Sequence, residues 1–341
     1  MLTVPDWLAE PAGQSLRTVL TFGVFDGLHL GHQFLVERVI RLAREKRCSS
    51  LVLTFDPHPL SVLSPSAAPE VLTTFGQKAE ILSAMGLDAL GCLVFDETLS
   101  DTGPAEFLEM AVTRRTEALA IVTGPDFRFG RGAEGHFGLL SSWARARGIA
   151  VEACRDQTAP GGEDLSSSHL RGLLKVGHVE AAAKILGRPY RLDGEVVPGQ
   201  RRGRTLGFPT ANLGQILQLI PGPGVYAVRA LFRGESRPAM TSIGHNPTFR
   251  GGSLTVETFV FDFHEEFYGE RLGLEFIRRI RDMIRFDSAQ SLAEQLRRDE
   301  AKARSCLAPA PSRQDSRRGG ASCGGRPADR PQTDPDRRSR G

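Results

Sequence analysis

The sequence predicts an α/β fold in two parts: an open, doubly wound parallel sheet followed by a smaller antiparallel β domain. Three observations lead to this prediction. The chain has 341 residues, which at about 150 residues per domain corresponds to two domains. In the first part, short apolar runs alternate with stretches of helical periodicity, as in strand–helix–strand units. From residue 190 onward, runs rich in Val, Phe, Tyr and Thr are separated by Gly and Pro, which is typical of a small antiparallel barrel or sandwich.

The first part contains four apolar runs with the character of buried strands, at 18–22, 50–55, 89–95 and 118–122. Helices are predicted at 31–46, 76–85 and 104–114, because apolar residues recur there every three or four positions. Such repeats imply parallel strands joined by right-handed crossovers. Because these sheets bind ligands at the carboxyl ends of their strands, we expect a site in the loops that follow the strands.

The second part begins with the run YRLDGEVV and continues with GVYAVRALF, RPAMTSI, LTVETFVFDF and RLGLEFI. A helical stretch at 169–186 is expected to bridge the two parts, and a closing helix is expected after Ser288 as N-cap, with Leu292 and Leu296 on its apolar face. Residues from 305 onward are mostly Pro, Gly, Ser, Arg and Asp, so this tail can bury little apolar surface and should be disordered. The predicted divisions are 1–187, 188–304 and 305–341.

Composition argues against several classes of protein. The five cysteines are scattered and none forms a C-x-x-C pair, so neither a disulfide framework nor a zinc knuckle is expected. No apolar run approaches the roughly 18 residues of a membrane helix, and the start of the chain lacks the pattern of a signal peptide. We therefore expect a cytoplasmic protein without membrane contact. The net charge of +3 comes from the tail, with its eight Arg and four Asp, so the body gives no signal for nucleic-acid binding.

The first predicted strand runs directly into the segment GVFDGLHLGH. Its glycines, Gly23, Gly27 and Gly31, permit a sharp turn and a close approach of the backbone to a ligand. His29 and His32 lie three residues apart where a helix begins, and the N-terminus of a helix favours phosphate. Imidazoles there can donate hydrogen bonds to a triphosphate, which predicts nucleotidyl transfer by in-line attack on an α-phosphate. No Walker loop and no G-x-G-x-x-G motif after the strand competes with this interpretation.

Three further segments could complete this site. FDPHP offers His58 after the second strand. GPDFRFG offers the polar Asp126 together with Phe127 and Phe129, whose rings could stack on a flat ligand. SSSHLR has the composition of a helix start, and its hydroxyls and Arg171 could bind phosphate. Each segment also has a purely structural interpretation, as a rigid turn, as two core phenylalanines and as a helix cap.

The most informative segment of the second part is GRTLGFPTANL. Thr210 and Asn212 are two residues apart and would face the same side of a strand, where their oxygens suit Mg²⁺ that carries nucleotide phosphates. The preceding loop PGQRRGR could fold over phosphates, or it is a solvated surface loop. In LTVETFVFDF, Glu257 shares a strand face with Thr255, and a carboxylate held there can accept a proton from a substrate hydroxyl.

Both parts together resemble the prokaryotic bifunctional riboflavin kinase/FMN adenylyltransferase family, also called FAD synthetase. GVFDGLHLGH, FDPHP, GPDFRFG and the SSS-x-x-R element are similar to its adenylyltransferase module, and GRTLGFPTAN, GVYAV, NPTF, TVETFVFDF, FYGERL and RFDS to its kinase module. The resemblance implies a nucleotidyltransferase sheet followed by a riboflavin kinase-like β-barrel. It also implies two reactions: ATP phosphorylates riboflavin to FMN, and a second ATP adenylylates FMN to FAD with release of pyrophosphate.

The resemblance further implies roles for individual residues. Glu257 would be the kinase base, His29 and His32 would act on the triphosphate in the adenylyltransferase, and Thr210 and Asn212 would hold Mg²⁺ with ATP. The other nucleotide-binding positions would be Gly23, Phe25, Asp26, Gly31, Asp126, Ser166, Ser167, Arg171 and Gly207, and the flavin-binding positions Phe127, Phe129, His58 and Arg204. The expected partners are small molecules: riboflavin, FMN and ATP.

One position departs from the family pattern, and two other functions remain open. Asp164 stands where the pattern has a basic residue, and Leu165 replaces an Ile, which could remove one phosphate contact and slow adenylylation. One alternative is a nucleotidyltransferase that acts on another phosphate acceptor, such as a phosphopantetheine or phosphoglycerol compound; it leaves the PTAN and TVETF segments unexplained. The other is a barrel that binds flavin without turnover, which predicts flavin binding without release of ADP.

Overall fold

The computed structural model describes residues 1–9, 15–124, 126–154, 164–198, 208, 210–245, 254–263 and 265–308. Met1–Leu307 form one compact unit that contains a parallel sheet in its N-terminal part and a closed barrel in its C-terminal part. The predicted fold class is confirmed, and of the two antiparallel forms that the sequence left open the structure has the barrel. Within the described ranges, no helix is long and apolar enough to cross a membrane.

The N-terminal sheet consists of six parallel strands. They are β1 (Leu2–Val4), β2 (Leu16–Gly23), β3 (Ser49–Asp56), β4 (Ala89–Val94), β5 (Thr116–Thr123) and β6 (Ala150–Ala153), arranged in the order β1-β4-β3-β2-β5-β6. The central strands are apolar along their length because both of their faces are covered: Leu20 of β2 pairs with Leu51 of β3, and both are fully buried. The four predicted strands are confirmed, and the short β1 and β6 extend the sheet at its two edges.

Helices cover both faces of this sheet, as a doubly wound fold requires. They are α1 (Leu30–Glu45), α2 (Pro59–Leu63), α3 (Phe75–Ala84), α4 (Glu97–Ser100), α5 (Pro104–Leu108) and α6 (Phe137–Arg145), with 3₁₀ turns at Pro65–Ala67 and Arg131–Ala133. On one face, Ile40 of α1 and Leu82 of α3 belong to the same apolar cluster as Val52 of β3. On the other face, Phe107 of α5 clusters with Leu20 of β2. These two clusters attach one layer of helices to each face of the sheet.

Two predicted helices are interrupted. The helix expected at 104–114 is α5 followed by one π-helical turn, Glu109–Thr113. The stretch expected to bridge the two parts consists of two helices, α7 (Ser167–Lys175) and α8 (Val179–Leu186). Gly177 lies between them with φ +77°, a left-handed conformation that ends a helix and that glycine adopts without strain.

The second part is a barrel of antiparallel strands. They are β7 (Tyr190–Val197), β8 (Ala211–Gly214), β9 (Gly224–Phe232), β10 (Glu235–His245), β11 (Leu254–Val260) and β12 (Arg271–Arg281), closed in the order β10-β11-β8-β7-β12-β9. Alternate residues point inward, so Tyr226 and Phe276 meet edge to face in the interior. The strand predictions for this part are confirmed, and the PTANL segment contributes β8.

A long C-terminal helix, α9 (Ala289–Leu307), packs against the outside of the barrel. Ser288 caps it, since its hydroxyl accepts a hydrogen bond from the Ser291 amide at 3.1 Å. Ala303 and Leu307 of the helix cluster with Phe259 and Phe261, which face outward from the barrel. Because Leu307 is buried in this contact, the helix continues three residues beyond the predicted boundary at 304. Residues 309–341, most of the predicted tail, lie outside the described part of the chain.

Candidate active sites

The carboxyl ends of the central sheet strands open into two adjoining cavities. Because β2 lies between β3 and β5, the strand order reverses beside it, and folds of this type bind ligands at such a point. One cavity has a volume of about 230 Å³ and the other of about 520 Å³. They share Val24, which follows β2, and Phe55 at the end of β3. Both cavities lie at the edge of the sheet where the sequence predicts a site.

The loop between β2 and α1 is strained and tightly held. Phe25 and Leu28 have φ angles of +50° and +44°, a conformation that costs energy in residues other than glycine unless contacts enforce it. Side chains donate hydrogen bonds to four carbonyls of the loop. The Val24 carbonyl accepts from Lys78 (2.8 Å) and Thr54 (3.0 Å), and the Asp26 carbonyl accepts from Ser167 (2.8 Å). Arg188 donates to the carbonyls of Gly27 (2.7 Å) and Leu28 (2.9 Å), and Gln33 also donates to Leu28 (2.7 Å). Since the N–H and C=O of a peptide point in opposite directions, holding the carbonyls also fixes where the amides point.

His29 and His32 form a stacked pair at the start of α1. Their ring centroids are 3.7 Å apart with an interplanar angle of 23°. The His32 and Phe25 rings meet in a T-shaped contact, with their centroids 5.3 Å apart. A Cβ on Gly31 would lie 3.2 Å from the His29 ring, so glycine leaves the ring its space. The Nδ1 atoms of both imidazoles are buried without a hydrogen-bond partner in the described part of the chain. Buried polar atoms without a partner are rare and often mark a ligand site.

Both imidazoles are neutral near pH 7. Burial lowers the pKa of His29 to about 4, although the nearby Asp164 carboxylate opposes this shift. Burial, and next the proximity of His29, lower the pKa of His32 well below its usual value. A neutral imidazole has one N–H donor and one acceptor nitrogen. Each ring can therefore donate one hydrogen bond to a phosphate oxygen without bringing a net positive charge.

Asp26 has a structural role that sequence reasoning did not predict. Its buried carboxylate accepts hydrogen bonds from the amides of Leu72 and Thr73 (both 3.0 Å) and forms an ion pair with Arg171 (2.5 Å). Arg171 also donates to the carbonyl of Glu70 at 2.8 Å. Both predicted nucleotide ligands are thus engaged with each other, and they tie the loop after β2 to residues 70–73.

Sequence reasoning missed two cationic side chains, Lys78 and Arg188. Lys78 is only 5% exposed, lines the smaller cavity and donates to Thr54 (3.3 Å) as well as to Val24. Burial lowers the pKa of Lys78, and Asp26 and Asp56 oppose this. Burial also lowers the pKa of Arg188 to about 10. The available signal for Lys78 was its place on the apolar side of a short helix, where a lysine is unusual.

The larger cavity is aromatic. Phe55, Phe95, Phe107, Phe127 and Phe129 line it together with Asp126. The rings of Phe127 and Phe129 stack with centroids 5.4 Å apart, and Phe127 also packs on Phe22 in the core of the sheet at 4.8 Å. The two interpretations of these phenylalanines are therefore compatible, because the same rings belong to the core and form a cavity wall.

The other predicted residues of this site lie around the same edge. His58 lines the smaller cavity and caps α2, since its ring accepts a hydrogen bond from the Leu60 amide at 3.2 Å. Ser166 caps α7 by accepting from the His169 amide at 3.2 Å, and its hydroxyl donates to Asp164 at 2.8 Å. The cap and turn interpretations of these segments hold, and the position of His58 in a cavity wall also permits a ligand contact.

The barrel carries a second polar group of residues, on its outer face. Asn212 of β8 is the cross-strand neighbour of Glu257 on β11, which in turn pairs with Ser242 of β10. Cross-strand neighbours point to the same face of a sheet. Val256 and Thr258 on either side of Glu257 are buried in the barrel, which confirms the predicted alternation. Asn212, Glu257 and Ser242 thus form a row across three strands, here called the Glu257 row. In it, a carboxylate lies beside an amide on a half-buried surface.

The hard oxygen donors of this group fit a magnesium ion carried by ATP. Asn212 lies in β8 on the same side as Glu257, and Thr210 immediately precedes this strand, so an amide oxygen and a hydroxyl are available close to Glu257 along the chain. Among the described residues, no group of three or more His, Cys, Asp or Glu side chains is arranged to hold a metal ion. The predicted contacts of Gly207 and Arg204 lie outside the described residues.

Comparison with known proteins identifies both parts. The model of the FAD synthetase family matches residues 12–169, and that of the riboflavin kinase (flavokinase) family matches residues 186–307. A bifunctional riboflavin kinase/FMN adenylyltransferase of Listeria monocytogenes is 35% identical over 312 residues, covering 90% of this chain and 96% of the Listeria protein. The protein of that name from Bacillus subtilis is 34% identical, covering 85% and 92%. The chain belongs to the bifunctional riboflavin kinase/FMN adenylyltransferase family.

A solved structure shares the backbone of both parts. A Streptococcus pneumoniae protein described as a macrolide-efflux protein superimposes with a TM-score of 0.79 at 31% identity, covering 89% of this chain and 99% of that one. Membership of the family confirms the resemblance predicted from the motifs. The family's two activities, riboflavin kinase and FMN adenylyltransferase, both use ATP, with riboflavin, FMN and FAD as substrates and products. The two alternative functions each leave one of the matched modules unexplained.

Proposed function

We propose that this chain converts riboflavin to FMN at the barrel and FMN to FAD at the sheet, with ATP as co-substrate in both steps. The observation on which the proposal rests is that one chain holds two separate polar sites of different chemistry. One is the stacked, neutral pair His29 and His32; the other is the row that joins Asn212 and Glu257. We assign adenylylation to residues 1–187 and phosphorylation to residues 188–304, in a cytoplasmic enzyme whose partners are small molecules.

In the adenylylation step, a phosphate oxygen of FMN attacks the α-phosphorus of ATP. The bond from that phosphorus to the oxygen bridging to the β-phosphate breaks, and pyrophosphate leaves. His29 and His32 donate their N–H groups to the triphosphate as negative charge develops on the leaving group. The amides of the loop after β2 and of the first turn of α1 add fixed partial positive charge. Phe127 and Phe129 provide an aromatic wall for the isoalloxazine ring.

In the kinase step, Glu257 accepts the proton of the terminal ribityl hydroxyl of riboflavin. The hydroxyl oxygen attacks the γ-phosphorus of ATP, the bond to the β–γ bridging oxygen breaks, and ADP leaves. Thr210 and Asn212 would hold the magnesium ion that accompanies ATP, and that ion supplies neutralisation of phosphate charge. The register supports this division of labour, because Glu257 and Asn212 are directly opposite each other on neighbouring strands.

The test is a product analysis of the purified full chain. Riboflavin, ATP and Mg²⁺ are supplied, and the flavins are separated by chromatography over time. FMN should appear first and FAD second, with one ADP formed per FMN and one pyrophosphate per FAD. Recovery of riboflavin alone would refute the proposal. FAD formed from supplied FMN but not from riboflavin would remove the kinase assignment and leave only the nucleotidyltransferase.

A further inference from the structure

The smaller of the two sheet cavities is not built from the N-terminal part alone. Leu217, from the segment that joins β8 to β9 of the barrel, lines it together with Asp26, His58 and Lys78. The same segment follows β8, the strand that carries Asn212. One stretch of barrel backbone therefore connects the row at the kinase site to the mouth of the adenylyltransferase cavity.

Backbone contacts fix this segment in place. Gln218 pairs with Val71 in an isolated parallel bridge, and the Leu219 amide donates to the Val71 carbonyl at 2.8 Å. The hydroxyl of Tyr190 donates to the Leu219 carbonyl, also at 2.8 Å. Gln218 and Leu219 are both buried, so Leu217 projects from an anchored backbone.

The residues that receive these contacts are themselves bonded to the site. Val71 is followed by Leu72 and Thr73, whose amides donate to the Asp26 carboxylate. Leu72 is fully buried in the same apolar cluster as the barrel residues Leu213 and Leu219. The loop after β2 therefore contacts residues 71–73, and these in turn contact the barrel segment that carries Leu217.

Leu217 itself is 75% exposed although it lines the cavity, so most of its apolar side chain is accessible to a ligand. A ligand that enters the cavity would cover it, which gains apolar contact that the free protein lacks. We propose that Leu217 is a substrate-contacting residue of the adenylyltransferase site, supplied by the kinase part of the chain. The inference rests on the proposed function, since it assumes that ATP or FMN occupies this cavity.

The test compares two variants of the full chain that differ in charge at this position, Leu217→Asp and Leu217→Lys. Both substrates of adenylylation are anionic, so a carboxylate at the cavity mouth should raise KM by roughly three- to tenfold, whereas an ammonium should leave KM unchanged or lower it. The difference between the variants should shrink at about 0.5 M salt, because exposed charges are screened. Leu217→Met keeps an apolar side chain of similar size and should retain the original KM.

The exposed Val176, which lies outside both cavities, provides the control through Val176→Asp, which should change neither activity. The rate of riboflavin phosphorylation should stay within about twofold in all four variants, since Leu217 is absent from the Glu257 row. Equal KM for adenylylation in the Asp, Lys and original proteins would overturn the inference while leaving FAD formation intact. Absence of FAD formation in the original protein would instead refute the proposed function.

Discussion

At the scale of single residues, the buried imidazoles make stability depend on pH. The folded state holds His29 neutral with a pKa of about 4, whereas in the unfolded chain it titrates near 6.5. Between these values the unfolded state binds more protons, so stability is fully present above about pH 6.5 and is lost as the pH falls toward 4. His29 alone should lower the free energy of unfolding by about 2 kcal/mol between pH 7 and pH 5.

Urea unfolding at pH 7 and at pH 5 measures this effect. The variant His29→Gln should lose the part of this pH dependence that His29 contributes and keep the part due to His32, whose pKa is also lowered by burial. His169→Gln, at an exposed position on α7, should behave like the original protein. An equal pH dependence in all three proteins would show that His29 does not carry the buried titration.

Lys78 is predicted to act in adenylylation, although it lies in none of the sequence motifs. Its ammonium fixes the Val24 carbonyl and faces the smaller cavity. Lys78→Met removes the charge and keeps the volume, so kcat/KM for FAD formation should fall by about 10²-fold, the typical effect of losing one preorganised donor. Riboflavin phosphorylation should be unchanged. Lys175→Met, at an exposed lysine on α7 paired with Glu70, is the matched control and should leave both activities intact.

Asp164 provides a third residue-scale prediction. Its carboxylate lies close enough to His29 to oppose the lowering of the pKa of that imidazole by burial. The same negative charge opposes the approach of a triphosphate. Asp164→Asn keeps the acceptor for the Ser166 hydroxyl and removes the charge. KM for ATP in adenylylation should fall by roughly two- to threefold at low salt. Asp101→Asn, at an exposed site after α4, should have no effect. A KM for ATP unchanged by Asp164→Asn would exclude a repulsive role for this carboxylate.

What the sequence could predict at this scale depends on whether the signal was local. The spacing of His29 and His32 and the alternation around Glu257 each lie within a single segment. The position of the two histidines at the start of a helix and that of Glu257 on one face of a strand could therefore be predicted. The ion pair of Asp26 with Arg171 joins residues 145 positions apart, and no local pattern indicates it. Arg188 reaches the carbonyl of Gly27 across a similar separation, so it was missed for the same reason.

At the scale of elements, the loop after β2 depends on a clamp from the start of the barrel. The Arg188 guanidinium holds the carbonyls of Gly27 and Leu28, and Gln33 joins Leu28 to Leu186. Arg188→Ala removes donors from two carbonyls of a strained loop. We expect kcat/KM for adenylylation to fall by roughly 10- to 100-fold, because a loop displaced by about 1 Å misplaces the imidazoles.

Riboflavin phosphorylation should stay within about twofold, although Arg188 lies in the part of the chain assigned to the kinase. Arg278→Ala, at an exposed arginine of β12, is the control and should alter neither step. If Arg188→Ala reduced phosphorylation and left adenylylation intact, Arg188 would belong functionally to the barrel and the clamp would have no catalytic consequence.

Element boundaries were predictable where apolar periodicity was long. The runs of β2 to β5 are buried on both faces and the stripe of α1 spans four turns, so these elements were identified. β1 has three residues and β6 has four, which is too short for a period to be recognised. The boundary at 304 was predicted from the residues that follow it, which offer little apolar surface, but Ala303 and Leu307 pack on the outer face of the barrel. A tertiary contact therefore decides where the helix ends.

At the scale of the whole molecule, one apolar cluster contains residues of both parts. Leu170 and Leu174 of α7 belong to the same cluster as Leu192 and Leu274 of the barrel. The sequence indicated two modules and their order, since each carries its own motifs. It could not indicate that both contribute to this cluster, because an apolar stripe on a helix does not reveal which surface it covers. The two sites therefore occupy different modules of one continuous structure.

Because the two reactions are assigned to different modules, a substitution in one site should abolish one reaction and leave the other. Glu257→Gln removes the proposed base of phosphorylation, so FMN formation should fall by about 10²- to 10⁴-fold, while conversion of supplied FMN to FAD continues. His29→Ala should instead reduce FAD formation by about 10²-fold and leave FMN to accumulate from riboflavin. Both variants should bind ATP, because each retains one intact nucleotide site.

Mixing the two variants provides the decisive comparison, because each supplies the step that the other lacks. The mixture should form FAD from riboflavin with a lag while FMN accumulates, since FMN must pass through solution between two molecules. A folded variant is verified by its unchanged thermal unfolding midpoint. Loss of both steps in either single variant, with that midpoint preserved, would mean that a single site performs both reactions, and the assignment of one reaction to each module would then fail.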